Sequence, residues 1–109
     1  MKIESVPFVT TDWSCVEETE HSGERGTAHW RTFEQGNIRV RMVRYSPGYV
    51  ANHWCNRGHV LLVLSGELVT ELQDGSVHTL KPGMSYQVAS DAAPHRSRTE
   101  CGATLFIVD

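Results

Sequence analysis

Turn signals recur at short, regular intervals from residue 46 onward, and this spacing limits the fold more than any other feature. The signals are Ser46-Pro47-Gly48, Asn56-Arg57-Gly58, Ser65-Gly66, Asp74-Gly75, Pro82-Gly83, the polar loop that runs to Pro94, and Glu100-Cys101-Gly102. The stretches between them have the length of strands and are too short for most helices. The pattern therefore predicts an all-β chain of about seven strands in this region, arranged as a sandwich or a barrel.

Hydrophobic patterning within these stretches predicts how individual strands are buried. The run from His59 to Leu64 is continuously apolar after its histidine, which predicts a central strand buried on both faces. The stretch from Ile38 to Tyr45 alternates, which predicts a half-buried strand with arginines on its polar face. Its apolar face is predicted to hold Ile38, Val40 and Met42. Residues 49–55 are predicted to form a further strand, and residues 1–35 to contribute strands and a loop.

Composition limits the class of protein and its partners. A chain of 109 residues with 39% hydrophobic and 21% charged residues has room for one ordinary folded domain. The net charge of −3 gives no basic surface for nucleic acid or for an anionic membrane. No apolar run approaches the roughly 20 residues that span a bilayer. Three cysteines, an odd number, argue against a disulfide scaffold. We therefore expect a soluble, cytoplasmic protein that binds neither nucleic acid nor membrane.

Residues that could bind a metal ion are concentrated in one segment and at one later position. His53 and Cys55 are two residues apart, so on a strand both side chains point to the same face. His59 follows at an even spacing, and His95 begins a later strand after Pro94. Imidazole and thiolate are ligands that zinc and several first-row transition metals prefer. The sequence therefore predicts one metal site built from His53, Cys55, His59 and His95.

The same segment resembles a known family. Residues 48–59, closed by Gly66, resemble the first cupin motif, in which a glycine precedes a His-x-His pair, a glutamate and a second glycine. The turn at Pro82-Gly83 and the later Pro94-His95 resemble the second cupin motif. Cys55 stands where the second histidine is usual, and His59 where the glutamate is usual.

A subgroup of small cupins is named after a motif of Asp, His, Cys and Trp. The stretch His53-Trp54-Cys55 is similar to that motif, with Asn52 in the place of its aspartate. The name of the subgroup records a motif and no reaction, so this likeness adds no prediction of activity.

The resemblance implies a cupin-type jelly-roll barrel of about eight strands. It implies a single cupin domain over residues 1–109, with the motif region at 48–99, a metal bound inside the barrel and frequent homodimerisation. His53 and His95 match family ligands directly, whereas Cys55 and His59 match only by position. Replacing a histidine by cysteine and the carboxylate by histidine softens the ligand set, which favours zinc, with iron, nickel and copper as alternatives.

Three classes of function are compatible with this site. The first is a metal-dependent enzyme acting on a small organic molecule, which needs an open coordination position. The second is a small-molecule binding or sensing module, and the third is a structural or redox-responsive metal site. Four protein ligands around a tetrahedral zinc leave no open position, so coordination number separates the enzyme from the structural site. We favour the enzyme and predict no particular reaction.

Residues outside the ligand set receive simpler predictions. The remaining histidines, His21, His29 and His78, are expected on the surface or in loops. Trp54 alternates away from the proposed ligands and is expected to pack elsewhere. One of the neighbours Tyr86 and Gln87 must point into the barrel, and Met42 or Arg44 is a further candidate for lining the pocket.

Overall fold

The computed structural model describes all 109 residues and contains nine β-strands, one short 3₁₀ helix (Trp13–Cys15) and no α-helix. The strands are β1 (Glu18–Ser22), β2 (Thr27–Gln35), β3 (Ile38–Tyr45), β4 (His59–Gly66), β5 (Leu68–Leu72), β6 (Val77–Leu80), β7 (Ser85–Val88), β8 (His95–Arg98) and β9 (Ala103–Val108). The predicted all-β class is confirmed. No helix of the length and hydrophobicity needed to cross a membrane is present.

The strands form two antiparallel sheets. The large sheet has the order β1-β2-β3-β9-β4-β7, and the small sheet has the order β6-β5-β8. Single bridges from Val50 to Arg98 and from Cys55 to His95 attach the segment between β3 and β4 to the free edge of β8. The two sheets are not joined into one continuous hydrogen-bonded barrel, and their arrangement is that of a jelly roll.

The space between the sheets is apolar at one end and charged at the other. Two successive cross-strand rows of β3, β9 and β4 point inward, and they are Val43–Leu105–Val63 and Arg41–Ile107–Leu61. The row after these brings together Arg39, Asp109 and His59, because Arg39 and Asp109 exchange backbone hydrogen bonds of 2.6 and 2.8 Å. The side chains between the sheets therefore change from apolar to charged over three successive cross-strand rows.

Gly66, which closes the first motif, permits the sharp turn from β4 into β5. Its φ is +76°, a left-handed conformation that residues with a Cβ adopt only at a cost. A Cβ built at this position would also overlap the carbonyl oxygen of Gly102. The motif glycine is therefore required by backbone geometry and by close chain approach.

Strand β4 is buried on one face, which corrects the prediction of burial on both faces. Leu61 and Val63 point into the core, whereas Val60 and Leu64 are 38% and 43% exposed. A strand of a two-layer structure has a covering layer on one side only, so its outward side chains stay exposed even when they are apolar.

Strand β3 faces the opposite way from the prediction based on its apolar residues. Arg41 and Val43 are 6% and 1% exposed, while Met42 points to the outer face of the sheet. The arginines turn inward because Asp109 supplies a buried carboxylate for them. Burial of a paired charge decides the register here, and hydrophobic alternation does not.

The continuous strand expected over residues 49–55 is not formed. Backbone pairing is limited to isolated bridges at Val50 and Cys55, with a bend at Asn52 and His53. The Asn52 amide donates to the carbonyl of Ser22 at 3.3 Å, and its oxygen contacts His53 Nδ1 at 2.7 Å. These side-chain bonds accompany the bend, and the backbone of the segment forms bridges only at Val50 and Cys55.

We predict that Leu105→Ala lowers the free energy of unfolding by about 2–5 kcal/mol, because it opens a cavity in the apolar rows. The matched control Leu64→Ala removes the same atoms from a site that is 43% exposed, and we expect it to cost about 0.5 kcal/mol. Urea unfolding at equal metal loading measures both. Equal losses for the two variants would contradict the assignment of the core.

Candidate metal centre

Three of the four predicted ligands meet where the two sheets face each other. The ligand atoms of Cys55, His59 and His95 all lie within 4.8 Å of one another. Cys55 and His95 are opposite each other in a bridge, with backbone hydrogen bonds of 2.7 and 3.0 Å. His59 reaches the same point from the first residue of β4, in the other sheet. The small sheet therefore supplies His95, the segment bridged to its edge supplies Cys55, and the large sheet supplies His59.

A hydrogen bond orients the His95 ring, and the nearby carboxylate of Asp109 faces the His59 ring. His95 Nδ1 lies 2.8 Å from the carbonyl oxygen of Ala93, which only accepts, so Nδ1 carries the proton. His59 Nδ1 lies 3.5 Å from Asp109 Oδ2. The two Nε2 atoms then face each other at 3.1 Å. Two imidazole nitrogens at this distance share either a proton or a metal ion, and a histidine whose other ring nitrogen bonds an oxygen acceptor has the orientation of metal-binding histidines.

The environment of Cys55 favours the thiolate. The neighbouring His95 imidazole lowers the pKa of the Cys55 thiol, and the backbone N–H of Arg57, 3.4 Å from Sγ, acts in the same direction against the effect of burial. Reciprocally, Cys55 raises the pKa of His95. The thiolate is the form of cysteine that binds metals.

His53, the fourth predicted ligand, lies outside this group of three. Its side chain is exposed, and its Nδ1 contacts the side-chain oxygen of Asn52 at 2.7 Å. His53 nevertheless lines the same cavity as Cys55, His59 and His95. Its role as a ligand stays a prediction.

A cavity of about 130 Å³ adjoins the cluster. Tyr86 lines it, so of the neighbours Tyr86 and Gln87 the tyrosine is the one that points inward. The Tyr86 hydroxyl lies 2.9 Å from His59 Nε2. Burial raises the pKa of Tyr86 above its ordinary value, so the hydroxyl keeps its proton at neutral pH. Neither Met42 nor Arg44 lines this cavity.

Asp109 is the functional residue that sequence reasoning missed. Its side chain is 1% exposed and accepts two hydrogen bonds from Arg39, of 2.8 and 3.0 Å, and one from Arg41, of 2.9 Å. Burial on its own raises the pKa of Asp109, but His59 and the two arginines hold it well below the ordinary range. Inward positions alternate along β9, so extending that alternation by two residues would have placed Asp109 inside.

The remaining singled-out residues lie apart from the cluster. His21 stacks on Trp30 with ring centroids 3.8 Å apart, His29 lies 3.4 Å from Glu18, and His78 is exposed. Trp54 is 36% exposed, and the Arg96 guanidinium lies over its ring at 5.3 Å. None of these histidines belongs to the cluster, although His78 lines a second cavity with His95 and Tyr86. Trp54 packs away from the cluster's cavity, as predicted.

We predict that Asp109→Asn lowers the free energy of unfolding by about 3–5 kcal/mol, because it leaves buried arginine charge without a counter-ion. Glu18→Gln is the matched control, since Glu18 also contacts several basic side chains but is 31% exposed. There we expect about 1 kcal/mol or less. Urea unfolding of both variants is the measurement, and an Asp109→Asn loss as small as the control would refute the buried-charge interpretation.

No protein-family model and no curated protein sequence matches this chain. Several solved structures are similar to it in fold. Ectoine synthase from P. lautus superposes with a TM-score of 0.75 at 13% identity, covering 93% of this chain and 76% of that one. A cupin-superfamily sugar phosphate isomerase from Silicibacter pomeroyi gives 0.70 at 19% identity, covering 92% and 74%. Fe(II)-HppE with an alternative substrate gives 0.76 at 14% identity, covering 94% and 60%. At these identities the likeness concerns the fold, and the chain has the cupin fold that its two motifs predict.

Proposed function

We propose that this protein is a metal-dependent enzyme acting on a small organic molecule, with its metal held by Cys55, His59 and His95. One observation carries the proposal. A thiol and two imidazole Nε2 atoms converge within 4.8 Å at the wall of a cavity of about 130 Å³. Fold neighbours described as a synthase, as an isomerase and as an Fe(II) protein with a substrate are consistent with it.

The donor set fits a transition metal. His95 Nδ1 is hydrogen-bonded to a carbonyl oxygen, and His59 Nδ1 faces the Asp109 carboxylate at 3.5 Å. Both Nε2 atoms are directed to the common point, which is the orientation that ligating imidazoles adopt. One thiolate and two imidazoles favour zinc, with iron, nickel and copper as alternatives. The divalent metal, when bound, supplies a Lewis acid that polarises a substrate oxygen or activates water.

Three protein ligands support the enzyme over a structural site. Structural zinc sites are closed by four protein ligands, whereas catalytic sites keep one position for water or substrate. With His53 outside the group of three, a metal held there would keep a coordination position that no protein ligand fills, beside the cavity that the three residues line. The homodimer that the cupin resemblance implies is part of the proposal but is not needed to complete this ligand set.

The chain's own residues have distinct roles in this proposal. Asp109 orients the His59 ring through Nδ1, at 3.5 Å. Tyr86 keeps its proton and lies 2.9 Å from His59 Nε2. When that nitrogen's lone pair is used in ligation, the hydroxyl becomes available to donate a hydrogen bond or a proton to a substrate oxygen in the cavity. Tyr86 is therefore the proposed proton donor.

We predict that purified protein carries about one equivalent of transition metal per chain. Cys55→Ala, His59→Ala and His95→Ala should each reduce that content to about a tenth, because two remaining ligands hold a metal weakly. The matched controls Cys101→Ala and His29→Ala should keep it, since neither residue belongs to the cluster or lines a cavity with any of its members. Elemental analysis after dialysis against a chelator is the measurement. Wild-type protein that is folded and free of metal would end the proposal.

We predict that His53→Ala keeps its metal and that azide changes the visible spectrum of the Co(II)-substituted protein. Both results follow from a site with three protein ligands and an open position. Visible absorption during azide titration, with Cys101→Ala as the control, measures the second. Loss of metal in His53→Ala together with a spectrum indifferent to azide would identify His53 as a fourth ligand and the site as closed.

A further inference from the structure

Arg41 is a buried cation whose donors are mostly unused. Its side chain is 7% exposed, and the guanidinium lies over the Trp30 ring at 4.3 Å. Of its five N–H donors, one is bonded within the protein, from Nη2 to Asp109 Oδ2 at 2.9 Å. Nε is buried without any partner. A buried guanidinium with unfilled donors is costly unless a bound acceptor satisfies them.

Asp109 cannot satisfy Arg41 further, because its oxygens are already shared. Arg39 forms a bidentate pair with both carboxylate oxygens, in which Nε donates to Oδ1 at 2.8 Å and Nη2 donates to Oδ2 at 3.0 Å. His59 Nδ1 and Arg57 Nε lie 3.5 Å from the same carboxylate. Arg41 therefore needs an acceptor that the protein does not supply.

The charges around the cavity also require an anion. Asp109 is the only acidic side chain among the residues that line it, whereas Arg39, Arg41 and Arg96 are three basic ones. Arg96 is neutralised from outside by Glu71, at 3.1 Å. Arg39 and Arg41 then share the single carboxylate of Asp109. One arginine charge therefore remains uncompensated beside the cavity, which favours a negatively charged ligand.

We propose that Arg41 binds the carboxylate group of the substrate, so that the enzyme acts on a small organic acid with a second oxygen that reaches the metal. A carboxylate matches the two parallel N–H bonds of a guanidinium. The cavity volume of about 130 Å³ corresponds to about four water molecules, which is enough for a short-chain acid. This inference rests on the proposed function of the same site.

Calorimetric titration of zinc-loaded protein with glycolate and with its neutral analogue glycolamide tests the inference. The two probes share a hydroxyl and differ in the charge of the other group. We expect wild-type protein to bind glycolate at least about tenfold more tightly, as a charge-assisted hydrogen bond implies. Arg41→Gln should abolish this preference. Arg44→Gln, on the same strand and outside the cavity, should retain it.

Three further measurements make each outcome decisive. Circular dichroism establishes whether Arg41→Gln is folded. If it is not, Arg41→Lys takes its place, and the two probes are also compared on metal-free wild-type protein, where a metal charge cannot produce the preference. Inorganic phosphate is titrated as a second anion, and tighter binding of phosphate than of glycolate would overturn the choice of a carboxylate. Metal content is determined on every sample.

The metal content separates this inference from the proposed function. Equal or absent binding of glycolate and glycolamide by zinc-loaded protein overturns the carboxylate site and leaves the metal site standing. If the protein takes up no metal, the proposed function fails. The Arg41 site is then tested on the metal-free protein alone. A preference for glycolate that is lost in Arg41→Gln would support the site, and equal binding of the two probes would contradict it.

Discussion

The carboxylate of Asp109 balances the charged end of the interior, and the site depends on that balance. Arg39 and Arg41 can point between the sheets only because this acceptor lies among them. The same carboxylate faces His59 Nδ1, so it also fixes which ring nitrogen is directed toward Cys55 and His95. One buried ion cluster thus sets both the register of β3 and the orientation of a proposed ligand.

Much of the fold could be predicted from the sequence, because turn residues mark every strand boundary from residue 46 onward. The direction of β3 could not. Hydrophobic alternation places arginines outside, and the carboxylate that reverses this rule is 68 residues from Arg41 along the chain. Pairing over such a separation leaves no local pattern. The exposed face of β4 was missed for a related reason, since apolar residues alone do not reveal that only one side is covered.

The candidate site was predictable to the extent that ligand chemistry defines it. Cys55, His59 and His95 are identified by residue type and by the cupin-like spacing, and the structure brings their ligand atoms together. His53 depends on an assumed strand through residues 49–55. That segment bends at Asn52 and His53, so the even spacing of His53 and Cys55 does not place them side by side. The arginines and Asp109 carry no recognisable motif.

The order of strands in the large sheet has a consequence for how the chain assembles. Strand β9 lies between β3 and β4, although it follows both along the sequence. Until β9 is synthesised, β3 and β4 each present an unpaired edge toward the gap that it will fill, and such edges are prone to pairing with other chains. Filling that gap also delivers Asp109, so closure of the sheet and completion of the site are one event. A metal bound by Cys55 and His95 before that event would lack the oriented His59 as a third ligand. The proposed site is therefore complete only after β9 has paired with β3 and β4.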